Sequence, residues 1–168
     1  HQRSAGSWGN PGNIRAHALV RPTTTEEVSH FLKCCFDAGQ RVVVHGGLSG
    51  VVDGAVAAES DVVLSLERMN AIEEIDTANR TATVQSGVVL ESMQQHASAE
   101  GLFFPLDLGA RGSCTIGGNI ATNAGGNRTV RYGMMRDMVL GLEVVLADGT
   151  VLTSMNQMIK NNAGYDLK

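Results

Sequence analysis

The sequence predicts an α+β fold, on three observations. Helical and strand-like hydrophobic spacings alternate along its 168 residues. One pair of strands is joined by a tight Asp148-Gly149 turn and so runs antiparallel, which excludes a purely parallel doubly wound sheet. No internal repeat or low-complexity tract breaks the alternation, so one domain, or two small lobes sharing a core, accounts for the length.

Residues 1–17, opening HQRSAGSWGNPGN, are expected to be a flexible lead-in. ALVRP (18–22) reads as a short strand closed by Pro22. TTTEEVSHFLKCCFDAG carries a helix: Thr23 or Thr24 caps it with Glu26 or Glu27 three residues on. Val28, Phe31, Leu32, Cys35 and Phe36 then mark one buried face. Gly39 ends it, and His30 and Cys34 fall on the outer face. RVVVH (41–45) is a short buried strand followed by the loop HGGLSGVVDGA. VVLSL (62–66) and TATVQ (81–85) are further strands, linked by a polar segment containing Asn70 and Asp76. A second helix runs from about Val88 to Glu100 and stops at Gly101. LGLEVVLADGTVLTS (140–154) is a hairpin in which Leu140, Leu142, Val144 and Leu146 alternate with the other face.

Composition removes several classes of function. An apolar fraction of 43 % with 18 % charged residues belongs to a globular chain rather than a disordered one. The net charge of −4, without any run of Lys or Arg, argues against nucleic acid. Arg128, Arg131 and Arg136 form a local basic patch of the kind that decorates an exposed turn. No apolar run approaches the ~20 residues that span a bilayer, and the N-terminal residues have no apolar signal-peptide core. Cys34, Cys35 and Cys114 make neither a disulfide framework nor a C-x-x-C metal pair, so a reducing compartment is expected, cytoplasmic or, in a eukaryote, mitochondrial. Cys114 is read as a small buried residue.

Two glycine-rich loops carry the chemistry. In HGGLSG, the glycines 46, 47 and 50 follow a β-branched strand, with Ser49 among them. Backbone amides freed in this way can gather round a phosphate, although the same pattern also serves as a plain turn. Neither G-x-G-x-x-G nor G-x-x-x-x-G-K-[ST] occurs, which disfavours a Rossmann site and a P-loop. The second loop, GSCTIGGNIATNAGGNRTVRYG (112–133), holds five glycines and no charge between Gly112 and Asn127. Ser113, Thr115, Asn119, Thr122 and Asn123 offer uncharged donors and acceptors there. Gly117-Gly118, Ala121 and Gly125-Gly126 let either a flat ligand or a second stretch of backbone lie directly on the chain. The pairing of the two loops points to a shared dinucleotide cleft.

PLDLGARGSCTIGGNIATNAGGNRTVRYG, VLGLEVVLADGTVL and KNNAGYDLK together resemble the flavin-binding half of the FAD-linked oxidases of the vanillyl-alcohol-oxidase (PCMH) type. The branch they are most similar to is that of the D-2-hydroxyacid dehydrogenases, which oxidise D-2-hydroxyglutarate, D-lactate or glycolate. The resemblance runs from Ala18 to Lys168. It implies two α+β lobes, with a boundary near 70–80, and FAD held non-covalently between them. By position, His45, Gly46, Gly47, Leu48, Ser49 and Gly50 would form the pyrophosphate loop. Pro105, Leu106, Gly109, Ser113, Thr115, Gly117, Gly118, Asn123, Ala124 and Gly126 would line the flavin and its ribityl chain, and Tyr132 with Gly133 would close the segment. Gly117→Val is then expected to abolish flavin binding by direct collision while leaving the fold intact.

The family pattern usually has Gly or Asn at the place of Leu48 and Gly at that of Asp53. Leu48 also stands where some relatives attach the flavin through histidine. In the family the chain continues beyond GYDLK into a substrate domain, so 18–168 is expected to be a truncated cofactor domain, inactive alone. It would act on a small 2-hydroxyacid through the missing domain, with the electron acceptor left open. The enzymes of this branch pass the C2 hydride of the substrate to flavin N5. No catalytic and no metal-ligating residue is assigned: His17, His30, His45 and His96 are scattered, and no His–carboxylate pair has catalytic spacing. The alternatives are an oxidase or reductase of the same fold acting on another alcohol or a nucleotide sugar, and a non-catalytic module on this scaffold.

Overall fold

The computed structural model describes residues 15–155, together with the backbone of two short strands before them. Those strands lie within the expected lead-in: Ser4–Ser7 (β1) pairs antiparallel with Asn10–Asn13 (β2). The expected KNNAGYDLK segment, with Tyr165 and Asp166, lies outside the described residues.

Ala18–Val20 (β3), Val42–His45 (β4) and Val62–Ser65 (β5) form a parallel sheet in the order β3-β5-β4. β5 is central and buried along its whole length, as the unbroken apolar run of a doubly covered parallel strand requires. The helix Thr25–Asp37 (α1) crosses from β3 to β4. Its cap is one of the two expected: Thr24 Oγ1 accepts from the Glu27 amide at 3.2 Å, while Glu27 Oε2 reaches back to accept from the Thr23 amide at 2.7 Å. Val28 and Cys35 are buried as expected, but Phe36 is 59 % exposed. It sits a full turn beyond Leu32, in the last turn of the helix. Gly39, at φ +65°, turns the chain out of the helix.

Ile72–Asp76 (β6) pairs antiparallel with Thr81–Val84 (β7), a strand where the sequence suggested only a polar link. Its register shifts between Ile72 and Glu74, so Ile72 and Ile75 stand three apart and the period-two signal is lost. Asp76 closes the turn: Oδ1 accepts from the amides of Ala78 and Asn79, both at 2.9 Å. Leu90–Ala99 (α2), Ile116–Ala121 (α3) and Thr129–Tyr132 (α4) follow, and a 3-10 turn occupies Met135–Met138. Leu142–Val145 (β8) and Val151–Ser154 (β9) make the expected hairpin.

Two hydrophobic clusters hold these elements. One gathers Val28, Leu64 and Met69, with Phe31, Leu32, Val42 and Val145 against them. The other gathers Val88, Leu90, Met93, Ala97, Leu106, Cys114, Ile116 and Met135, with Ile72 and Val84 at its margin.

Candidate functional site

Segments from four places in the chain converge on one groove of about 400 Å³. β4 ends in Gly46, Gly47 and Leu48; Glu67 and Asn70 follow β5; Gly87 and Val89 follow β7, with Ser92 in the first turn of α2; Ser113 and Thr115 precede α3.

The two glycine-rich loops meet here, and the glycines make the meeting possible. A Cβ on Gly46 would lie 2.6 Å from Thr115 Oγ1. One on Gly47 would lie 2.7 Å from Cys114 Cα and nearer still to the Ser113 carbonyl oxygen. Real side chains do not approach backbone so closely, so only glycine brings the loops into contact. The second loop is in turn stitched to the start of α2, by Leu90 N–H to Cys114 O at 3.0 Å and Ile116 N–H to Val88 O at 2.8 Å. Thr115 caps α3 by accepting from the Gly118 amide at 3.4 Å.

Of the residues expected at the site, Gly46, Gly47, Leu48, Ser113 and Thr115 line this groove. Ser49 and Gly50 are exposed on the loop beyond it. His45 is fully buried, with Nε2 2.8 Å from the Ala55 carbonyl oxygen. A carbonyl only accepts, so Nε2 carries the proton and the ring ties down the far end of the loop. The same loop holds Leu48 at φ +54° and Asp53 at φ +60°, the positions where the resemblance implies Gly or Asn and Gly respectively. Left-handed backbone explains that preference.

The other expected residues gather away from the groove. Leu106, 1 % exposed, belongs to the larger core cluster, and Pro105 beside it is half-buried. Gly109 faces open space. Asn123, at φ +47°, accepts from the Arg136 amide through Oδ1 at 2.9 Å, and the Ala124 carbonyl accepts from Met135 N–H at 2.9 Å. Gly126, at φ +112°, packs against the Asp107 carbonyl with which it forms a parallel bridge. Tyr132 rests 5.8 Å from the Phe103 ring. Asp107 accepts from Arg111 at 3.4 Å and faces Arg128 at 3.5 Å, and Arg128 also lies 5.0 Å over Phe103.

Gly117 corrects one expectation. A Cβ there would lie 2.6 Å from Ser86 Cβ and 2.9 Å from Ser86 O, while its amide donates to that oxygen at 2.8 Å. Its smallness is needed by the Ser86 backbone, so a valine would disturb the fold itself. Gly118, with only Thr115 Oγ1 at 3.3 Å, is the less confined of the pair.

Glu67, Asn70, Gly87, Val89 and Ser92 were not foreseen at the site. Only Gly87 left a trace in the sequence, as a glycine closing a strand; its Cβ would strike the Leu66 carbonyl and lie 2.7 Å from that of Met69. Burial pushes the Cys114 thiol above its ordinary value, an effect opposed by hydrogen bonding to Asn119, and so favours the protonated thiol. Among the described residues, no three His, Cys, Asp or Glu are grouped to hold a metal ion.

A larger cleft of about 510 Å³ lies between α1 and the β8–β9 hairpin. It contains none of the expected residues. Its walls interlock through Thr25 Oγ1 to Glu143 at 2.7 Å and Ser29 Oγ to Gly149 O at 2.6 Å, which makes it the seam where the hairpin docks on the helix.

Known proteins resemble the chain in both sequence and shape. It is 48 % identical over 150 residues to the mitochondrial D-2-hydroxyglutarate dehydrogenase of Bos taurus, covering 89 % of this chain and 28 % of that one. It is 46 % identical over 151 residues to the D-2-hydroxyglutarate dehydrogenase of Xanthomonas citri, covering 90 % and 32 %. The chain therefore spans about a third of the length of the curated relatives it matches, or somewhat less. Its fold matches 6-hydroxy-D-nicotine oxidase from Arthrobacter nicotinovorans with a TM-score of 0.71 and 26 % identity, over 83 % of this chain and 32 % of the other. The model of the FAD binding domain family matches residues 16–154, and the chain belongs to that family.

Proposed function

We propose that the chain is the cofactor-holding part of a flavin-dependent dehydrogenase that oxidises a D-2-hydroxyacid to the 2-oxoacid. The observation that carries the reading is the junction of the two glycine-rich loops in a chain whose relatives bear that enzyme's name. The residues present fit FAD. The groove wall is small and largely uncharged, Ser92, Ser113, Thr115 and Asn70 offer hydrogen bonds, and Gly46–Leu48 bring main chain to the surface where a diphosphate can approach it.

In this reading Gly46, Gly47 and Leu48 hold the diphosphate, with His45 and Ala55 fixing the loop from behind. Ser49 and Gly50 supply further amides at its exposed end. Pro105, Leu106, Gly109, Asn123, Ala124, Gly126 and Tyr132 shape the neighbouring wall for the flavin, with Gly117 and Gly118 acting through α3. FAD, when bound, supplies the two-electron acceptor for the substrate's C2 hydride. The chain's own residues bind, orient and shield it.

The binding is non-covalent. Leu48, at the loop position that the resemblance gives to a flavin-linking histidine, carries no nucleophile, and the His45 imidazole is buried in its bond to Ala55. The substrate is a small 2-hydroxyacid handled together with residues outside this chain, and a mitochondrial location in a eukaryotic host accords with the name of the bovine relative. The test is a visible spectrum of the purified chain after FAD addition and desalting, followed by acid precipitation. Flavin retained on desalting and released by acid bears the reading out. A chain that leaves all flavin behind on desalting, with no fluorescence change on titration, overturns it.

A further inference from the structure

The FAD reading draws its flavin wall from two stretches, 105–109 and 123–132, and Asp107 joins them through main chain and side chain alike. Its carbonyl oxygen accepts from the Asn127 amide at 3.2 Å, next to the parallel bridge with Gly126. Its carboxylate, 16 % exposed, holds one arginine on each oxygen: Arg111 Nη1 lies 3.4 Å from Oδ1 and Arg128 Nη2 3.5 Å from Oδ2. Arg111 also reaches Glu91 of α2 at 3.7 Å. Arg128, from the second stretch, is thus received by the first at two points, the Asp107 carboxylate and the Phe103 ring 5.0 Å below its guanidinium. The far side of the contact is closed by Tyr132, 5.8 Å from Phe103.

This arrangement contributes little to folding. The arginine side chains are 54 % and 41 % exposed, and an ion pair so open to water is worth about 1 kcal/mol at most. What it supplies is direction: a planar guanidinium laid on a ring and turned toward a carboxylate has few orientations left. Direction matters in a wall for a flat ligand, because contacts that are small one by one fade within an ångström of misfit. We propose that Asp107 and Arg128 are positioning residues for the flavin. Arg128, seated between Phe103 and Asp107, sets the spacing of the two stretches, and the pair acts on the ligand through Gly126 and Tyr132 without touching it. The inference rests on the FAD reading above, through two residues which that reading leaves without a role.

The test titrates FAD and FMN, by absorbance and fluorescence, into the whole chain and into Asp107→Asn, Arg128→Gln and the double variant. Urea unfolding is measured on each. Asp107→Asn keeps the shape of the side chain and Arg128 lies at the surface, so all are expected to stay folded. Each single variant should weaken FAD and FMN alike by about two- to fivefold, the size of one exposed ion pair. The double variant should bind no worse than either single, since both remove the same contact. The absorption spectrum of bound flavin at saturation should differ from that in wild type. Lost stability alone would reduce the fraction of chain that binds and leave that spectrum unchanged. Unaltered affinities, effects that add in the double variant, a weakening confined to FAD, or an unshifted spectrum each overturn the inference and leave the FAD reading standing. A wild-type chain that binds neither flavin overturns both.

Discussion

Gly47→Ala adds one methyl group at the point where the two glycine-rich loops touch. That methyl would lie 2.7 Å from Cys114 Cα and closer to the Ser113 carbonyl oxygen. Both are main-chain atoms, so no side-chain rotation relieves the overlap. One loop must move away from the other, and Cys114 is tied through its carbonyl to Leu90 N–H at 3.0 Å. Overpacking of this sort costs about 1–3 kcal/mol. At roughly 2–4 °C per kcal/mol for a chain of this size, the midpoint falls by several degrees. Gly50→Ala is the control: nothing lies within 4 Å of its Cβ position. It should be neutral or add a few tenths of a kcal/mol by restricting the unfolded chain, up to about 1 kcal/mol. Thermal and urea unfolding of the two variants, with flavin titration beside them, make the measurement. If Gly47→Ala is as stable as Gly50→Ala and binds flavin equally well, the loops do not meet as described.

Gly117→Val should lose stability together with flavin, because its side chain meets the Ser86 backbone; a stably folded variant that merely loses flavin would restore the ligand-collision reading. Leu48→Asn should gain up to about 1 kcal/mol in urea unfolding, since asparagine tolerates the φ of +54° that leucine occupies there; a loss of stability would argue against that backbone. Thr24→Ala should cost about 1 kcal/mol by removing the cap of α1, read from the same unfolding curves. Asp76 has its carboxyl held below the ordinary value by hydrogen bonds from Asn79, backbone and side chain, and from the Ala78 amide. A depressed folded value means its stabilisation is complete above the unfolded carboxylate value and is lost as pH falls through the folded one. Asp76→Asn should therefore flatten the acid side of the stability–pH profile, and an unchanged profile would count against the turn.

What the sequence made legible was what short-range chemistry decides. The cap, face and end of α1 are written in Thr24, Glu27, Val28, Cys35 and Gly39, and all five act as their spacing implies. The β8–β9 hairpin is likewise local, set by Asp148-Gly149. β6 escaped notice because its register shift hides the alternation that identifies a strand. Phe36 obeys helical periodicity but is left 59 % exposed, since whether a face is covered depends on the rest of the fold. The site divides in the same way. Gly46, Gly47, Ser113 and Thr115 could be read from two loops dense in small residues. Glu67, Asn70 and Ser92 could not, because single polar residues after an ordinary strand or on an ordinary helix join the groove only through the pairing of β4 with β5 and the stitching of α2 to the second loop.

The glycines were open to two readings, ligand against chain or chain against chain, and the structure gives the second the nearer contacts. Gly46 and Gly47 are pressed by 113–115, Gly117 by Ser86, Gly126 by Asp107 and Gly87 by Leu66 and Met69. The readings are not rivals. A groove lined by main chain from separate segments exists only if those segments come closer than side chains allow, and each close contact here needs a residue without a Cβ. The same absence of side chains leaves backbone polar groups near the groove surface, where an anionic ligand can use them. A glycine in such a site therefore acts at one remove: it brings two strands of backbone together, and the ligand binds to what their meeting exposes. That is why substitutions at Gly46, Gly47 and Gly117 should couple stability to flavin binding, while one at Gly50, which touches nothing within 4 Å, should separate them.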